Sequence, residues 1–98
     1  MNFLLVDKDN NIILKGIVVM LGTHTALSEI NNCQCFFVYL NNPQILNEVQ
    51  FEEWKSKFLY YNKAIGSNGI PPTSEYCYME FKLDKFRDGF DFQITERT

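Results

Sequence analysis

The stretch from Asn47 to Gly66 constrains the fold more than any other part of the chain, because it reads as one long amphipathic helix with a marked start and a marked stop. Asn47 has the side chain of a good N-cap, and Gln50 stands three residues on, where a capping-box partner reaches back to the cap's own N–H. Leu46 and Phe51 occupy the two positions of a hydrophobic staple. Phe51, Trp54, Phe58, Tyr61 and Ile65 follow at steps of three, four, three and four, which lays five large side chains along one stripe of a helical period. Glu52, Glu53, Ser56, Lys57 and Lys63 take the other side, and Glu53 precedes Lys57 in the favourable ion-pair order. Gly66 supplies a stop, and Pro71-Pro72 forbid resumption. At ~1.5 Å per residue such a helix spans ~27 Å, enough to cross a small sheet. Its stripe needs an apolar surface to cover it, with Trp54 as the expected anchor.

The rest of the chain supplies strands for that purpose. Phe3 to Val6 and Asn11 to Leu21 are rich in Leu, Ile and Val and are separated by the turn residues Asp7-Lys8-Asp9-Asn10, so a hairpin is expected. The alternation of Asp7, Asp9 and Asn11 imitates a calcium loop, but Ile12 and Val18 stand where that loop needs Gly and Glu. Thr25 is a candidate cap for a short helix through Asn32 that carries Leu27 and Ile30, with a loop as the alternative for this composition. Cys33 to Leu40 is a strand apolar on both faces, with Phe36, Val38 and Leu40 on one side and Cys33, Cys35, Phe37 and Tyr39 on the other, which suits a central position. Asn41-Asn42-Pro43 is expected to end it. After a Gly/Pro loop over Ser67 to Ser74, Tyr76 to Leu83 alternates cleanly: Cys77, Met79, Phe81 and Leu83 point one way, and Tyr76, Tyr78, Glu80 and Lys82 the other. A charged turn over Asp84 to Gly89 leads to a last strand in which Phe90, Phe92 and Ile94 alternate with Asp91, Gln93 and Thr95, and the two strands are expected to pair as a second hairpin. The order β-β-(short α)-β-α-β-β implies a single α+β domain with a mainly antiparallel sheet and the helix packed on one face.

Ninety-eight residues suffice for a core without metal or disulfides, and 46% hydrophobic with 21% charged residues is ordinary for a globular chain. A net charge of −3 argues against a nucleic-acid binder, which needs clustered Lys and Arg. No apolar run is long enough to span a membrane, and Met1-Asn2 leads into too short an apolar run, with no basic flank, for a secretory signal. Cys33, Cys35 and Cys77, an odd number, then suit reduced thiols in a cytoplasm.

No pattern of residues calls for a cofactor or a catalytic role. His24 with Cys33, Cys35 and Cys77 is the one set with zinc-ligand chemistry, but its spacing is not that of the tight Cys turns of structural sites, and inert core thiols explain the cysteines better. A Cys/His nucleophile would need an electropositive setting, and no Lys or Arg occurs between Gly16 and Lys55. Glu52-Glu53 suit the negative-charge preference of a helix start, and the Asp84, Asp88 and Asp91 group a solvated turn, better than acid/base chemistry. Gly66-Ser67-Asn68-Gly69 follows a helix, so it cannot cradle phosphate as a loop before one would.

The feature that points to function is aromatic. Tyr76 and Tyr78 lie opposite the apolar set of their strand and Tyr60 lies off the helix stripe, while Asp91 and Gln93 are the outward residues of the last strand. These five, Tyr60, Tyr76, Tyr78, Asp91 and Gln93, form the expected partner-binding set of a non-enzymatic module that binds and inhibits another protein, the alternative being that Tyr76 and Tyr78 pack on the neighbouring loop. The low-GC composition, with ten Asn and seven Lys to two Arg, would suit a phage- or mobile-element-encoded anti-defence or immunity protein. Self-association through the open sheet face is a related expectation. The alternative is a small-molecule-sequestering protein with a pocket between helix and sheet near Trp54, His24 and the Ser67 to Ser74 loop.

Overall fold

The computed structural model describes residues 1–64, 76–83 and 89–96. They build an α+β fold from β1 (Asn2–Asp7), β2 (Ile12–Thr23), α1 (Thr25–Asn31), β3 (Cys35–Ile45), α2 (Glu48–Phe58), β4 (Leu59–Ala64), β5 (Tyr76–Lys82) and β6 (Phe90–Thr95). All these strands join one sheet in the order β4-β5-β3-β2-β1-β6, with each neighbouring pair antiparallel. No helix among the described residues is long and apolar enough to cross a membrane.

The expected first hairpin forms, and its turn is organised by one carboxylate. Asp7 accepts the backbone N–H groups of Asp9 and Asn11, each at 2.9 Å, and Asn10 takes the left-handed conformation (φ 66°) that closes the turn. Gln50 of α2 donates its Nε2 to the same carboxylate at 2.9 Å and so ties the turn to the helix. The Gln50 hydrogen bond, followed by that from the Asn11 backbone, holds the Asp7 pKa down from 3.8 to about 2. A carboxyl depressed in the folded state contributes stability that is fully present above about pH 4 and is lost as pH falls towards 2. Gln50→Ala is therefore expected to flatten the fall in melting temperature between pH 4 and pH 2; an unchanged acid limb would show that this bond does not hold the carboxylate ionised.

The third strand is central, as its two apolar faces imply, but it runs past the expected stop to Ile45. Lys15 pairs with Gln44 and Ile17 with Asn41, so Asn42 (φ 51°) and Pro43 form a bulge opposite Gly16. A proline in a bulge interrupts no ladder bond, which explains why Pro43 is tolerated here, and buried. Gly16 pairs with Phe3 on its other side, and a Cβ there would lie 3.0–3.1 Å from Leu40 side-chain atoms. Gly16→Val is expected to cost about 1–3 kcal/mol in chemical denaturation through overpacking.

The long helix is corrected by the structure. Asn47 caps it as expected, its Oδ1 accepting the Gln50 N–H at 3.0 Å, and Phe51, Trp54 and Phe58 are buried beneath it. The helix ends at Phe58, however, and Leu59–Ala64 turns into a strand paired with β5. Tyr61 therefore leaves the helical stripe for the sheet, whereas Ile65, Gly66, Pro71-Pro72 and the Ser67 to Ser74 loop lie outside the described residues. The short helix α1 forms too, but its cap is His24, whose Nδ1 accepts the Leu27 N–H at 3.2 Å, and none of its residues is buried.

The second hairpin is also corrected. The strands β5 and β6 do not pair; β5 lies between β3 and β4, and β6 lies on the far side of β1. Three strands separate them, roughly 19 Å across a flat sheet at the usual spacing. Yet Phe92 of β6 touches Phe81 of β5 at 5.8 Å between ring centroids and Phe36 of β3 at 5.2 Å, and Phe90 meets Phe58 of α2 at 5.7 Å. The sheet is thus strongly curled, and its concave face wraps a core of Phe3, Leu5, Leu14, Val38, Leu40, Met79 and Phe81 that α2 closes with Phe51 and Trp54. The residues 84–88 of the expected charged turn lie outside the described residues.

Candidate functional site: the aromatic convex face

Side-chain alternation sends to the convex face whatever the core strands do not bury. On β3, Phe37 pairs with Glu80, Tyr39 with Tyr78 and Asn41 with Tyr76 of β5. On their other flanks Phe37 pairs with Gly22 and Tyr39 with Met20 of β2, while Tyr61 of β4 pairs with Glu80. Directly paired residues share a face, so Met20, Phe37, Tyr39, Tyr61, Tyr76, Tyr78 and Glu80 form one surface opposite Val38, Met79 and Phe81. Tyr39 stacks on Tyr76 at 5.5 Å, and Tyr78 meets Tyr61 edge-on at 6.1 Å and Phe37 at 6.4 Å. The outer side chains remain in reach of solvent: Tyr61 is 48% exposed, Tyr76 36% and Met20 58%.

A polar relay runs along one margin of this surface. The Tyr78 hydroxyl donates to Glu80 Oε2 at 2.7 Å, and His24 Nε2 lies 3.0 Å from the same oxygen. Because His24 Nδ1 accepts from Leu27, its ring proton sits on Nε2 and is donated to Glu80, which fixes the tautomer and the ring plane. Burial, and then the hydrogen bond to Glu80, pushes the Tyr78 pKa up to about 12, so the phenol stays a donor. Beside the relay, Met20, Thr23, His24, Ala26, Phe37 and Tyr39 line an open groove of ~420 Å3. The Phe37 ring lies over Gly22, where a Cβ would come within 2.8 Å of it. Gly22 thus seats the Phe37 ring that lines the groove, because a larger residue there displaces Phe37.

Of the expected partner-binding set, the structure brings together Tyr76 and Tyr78. Tyr60 lies in a bulge of β4 between Leu59 and Tyr61, with its hydroxyl 3.9 Å from Cys33 Sγ. Asp91 and Gln93 stand on β6, with three strands between them and β5, and serve local structure: Asp91 Oδ1 accepts the Phe92 N–H at 2.7 Å, and Gln93 Nε2 donates to Asn10 Oδ1 at 3.0 Å. The second hairpin, which would bring them beside the tyrosines, does not form. The residues missed were Phe37, Tyr39, Met20 and Tyr61. Phe37 and Tyr39 did carry a signal, since they fall opposite the buried set of a central strand, but the match to Tyr76 and Tyr78 depends on the β3–β5 pairing.

The zinc-type set discounted above and the pocket expected near Trp54 and His24 are both dispersed. Cys77 is wholly buried on the concave side, where burial pushes its pKa up to about 12, whereas His24 is committed to Glu80 on the convex side. Among the described residues no group of three or more His, Cys, Asp or Glu is placed to hold a metal. Trp54, fully buried against Phe81, and His24 likewise lie on opposite sides of the sheet, so they do not line a common pocket. The sequence matches no known family model, and no curated protein or solved structure matches it either.

Proposed function

We propose that the protein works by binding another protein through the convex face of its sheet, with Tyr39, Tyr76 and Tyr78 at the centre of the contact. The observation that carries this reading is the continuous ring surface from Tyr61 through Tyr78 and Tyr39 to Tyr76, flanked by exposed Met20 and by the groove at Phe37. Tyrosine offers a large contact area at low entropic cost with a polar tip, and aromatic side chains and Met are enriched where proteins meet. A carboxylate on the margin of the surface, Glu80, and a net charge of −3 favour a protein over the phosphates of a nucleic acid.

A photoreactive residue at Tyr39, at Asp91 on β6, or at the fully solvent-facing Val49 of α2 tests the assignment in lysate of the organism's own host or cells. Position 39 is expected to give one discrete heterologous crosslink and positions 49 and 91 none. Equal labelling from Val49, or crosslinks only between copies of this chain, would remove the heterologous partner. With that partner in hand, Tyr39→Ala and Tyr78→Ala are each expected to weaken binding about 30-fold or more, as interface anchors do, and Gln93→Ala to leave it unchanged.

A further inference from the structure

We infer that Cys33 and Cys35 form a binding site for a soft monovalent metal ion of the Cu(I) type, held between two thiolate sulfurs with Tyr60 as its supporting group. This site is separate from the convex-face reading and does not depend on it. The two Sγ atoms lie 3.8 Å apart, close enough to share one ion, and the Tyr60 hydroxyl lies 3.9 Å from Cys33 Sγ. The pair is held at fixed geometry by its backbone. Asn32 ends α1 in the left-handed conformation, the Cys33 N–H reaches the Ser28 carbonyl at 3.3 Å, and the Cys35 N–H donates to Ser28 Oγ at 2.9 Å. On the strand side His24 N–H bonds the Cys35 carbonyl at 2.8 Å and Leu83 N–H bonds the Gln34 carbonyl at 3.2 Å. One serine thus anchors both cysteine positions, which is the support that lets ligands meet an ion without reorganising.

The donor set selects the ion. Two sulfurs and a neutral phenol provide no carboxylate for a hard cation, and they fall short of the four donors that zinc takes in structural sites. Thiolate sulfur favours Cu(I), which is satisfied by two or three soft donors. Cys33 is half-buried and gives access from solvent, whereas Cys35 is fully buried and shields the bound ion. On binding, each thiol releases its proton to water and forms a sulfur–metal bond, with no change of oxidation state. The Tyr60 hydroxyl, 3.9 Å from Cys33 Sγ, is placed to donate to the Cys33 thiolate and offset the residual negative charge.

Reduced protein is titrated with Cu(I) under anaerobic conditions against a chromophoric Cu(I) chelator, with Zn(II) in a parallel series. The wild type is expected to retain one Cu(I) per chain, Cys33→Ser to lose at least about 100-fold in affinity, and Tyr60→Phe about 10-fold. Cys77→Ala should keep the stoichiometry. Cys33 is partly exposed, so Cys33→Ser is expected to fold, which far-UV circular dichroism checks. Complete loss of copper to the chelator by the wild type, retention undiminished in Cys33→Ser, or displacement of Cu(I) by equimolar Zn(II) would overturn the site.

Discussion

Trp54→Ala is expected to lower the unfolding free energy by about 3–5 kcal/mol, a large share of the ~5–15 kcal/mol that holds a domain together. The side chain is wholly buried, lies 6.0 Å from the Phe51 ring and 5.5 Å from the Phe81 ring, and joins the closing helix to the fifth strand. Removing it opens a cavity where α2 packs on the concave face, and an apolar cavity there cannot recruit water to fill it. Denaturant titration should show the midpoint falling with an unchanged slope, because the amount of surface exposed on unfolding barely alters. The conservative variant sharpens the test. Trp54 Nε1 is buried without a hydrogen-bond partner among the described residues, an arrangement that itself costs about 1–3 kcal/mol. Trp54→Phe removes that orphaned donor while keeping most of the ring, so it should cost far less than the alanine variant. Equal losses for the two would mean that cavity formation is not what Trp54 prevents.

The features legible in the sequence are those fixed by neighbours in the chain. The cap at Asn47, the Asp7 turn and the alternation of Cys77, Met79 and Phe81 each depend on residues within a few positions, and each is found in the structure. Two features were not legible, for a common reason. Leu59 to Ala64 carries an aromatic, Tyr61, at a spacing that fits both a helix stripe and a strand, and what decides is the backbone of β5. The partners of β5 and β6 are equally invisible to local pattern, since an alternating strand specifies which side it buries but not beside what. The convex site inherits that blindness. Its parts were readable as outward residues, but their assembly follows from β5 inserting next to β3 rather than next to β6.

The same insertion makes the two faces of β5 answer to different measurements, and Phe81→Ala against Tyr78→Ala puts this to the test. Phe81 lies at the centre of the concave face, with ring contacts to Phe36 and Phe92 at 5.8 Å each, to Trp54 at 5.5 Å and to Phe3 at 6.2 Å. Its truncation is expected to cost about 3–5 kcal/mol and, because four elements lose a shared partner, to be strongly non-additive with Trp54→Ala, with a coupling of about 0.5–1.5 kcal/mol beyond area burial. Tyr78 touches Phe37, Tyr39 and Tyr61 on the other side of the same strand, and its hydroxyl serves Glu80. Tyr78→Ala should cost only about 1–2 kcal/mol in stability, from one hydrogen bond and partly solvated ring contacts, yet abolish most of the partner affinity. Tyr78→Phe separates the two roles, since it keeps the rings in contact and deletes only the donor to Glu80. If Phe81→Ala proved mild and Tyr78→Ala unfolded the protein, the concave and convex faces would have to exchange places, and the assignment of a binding surface to the tyrosines would fall with them.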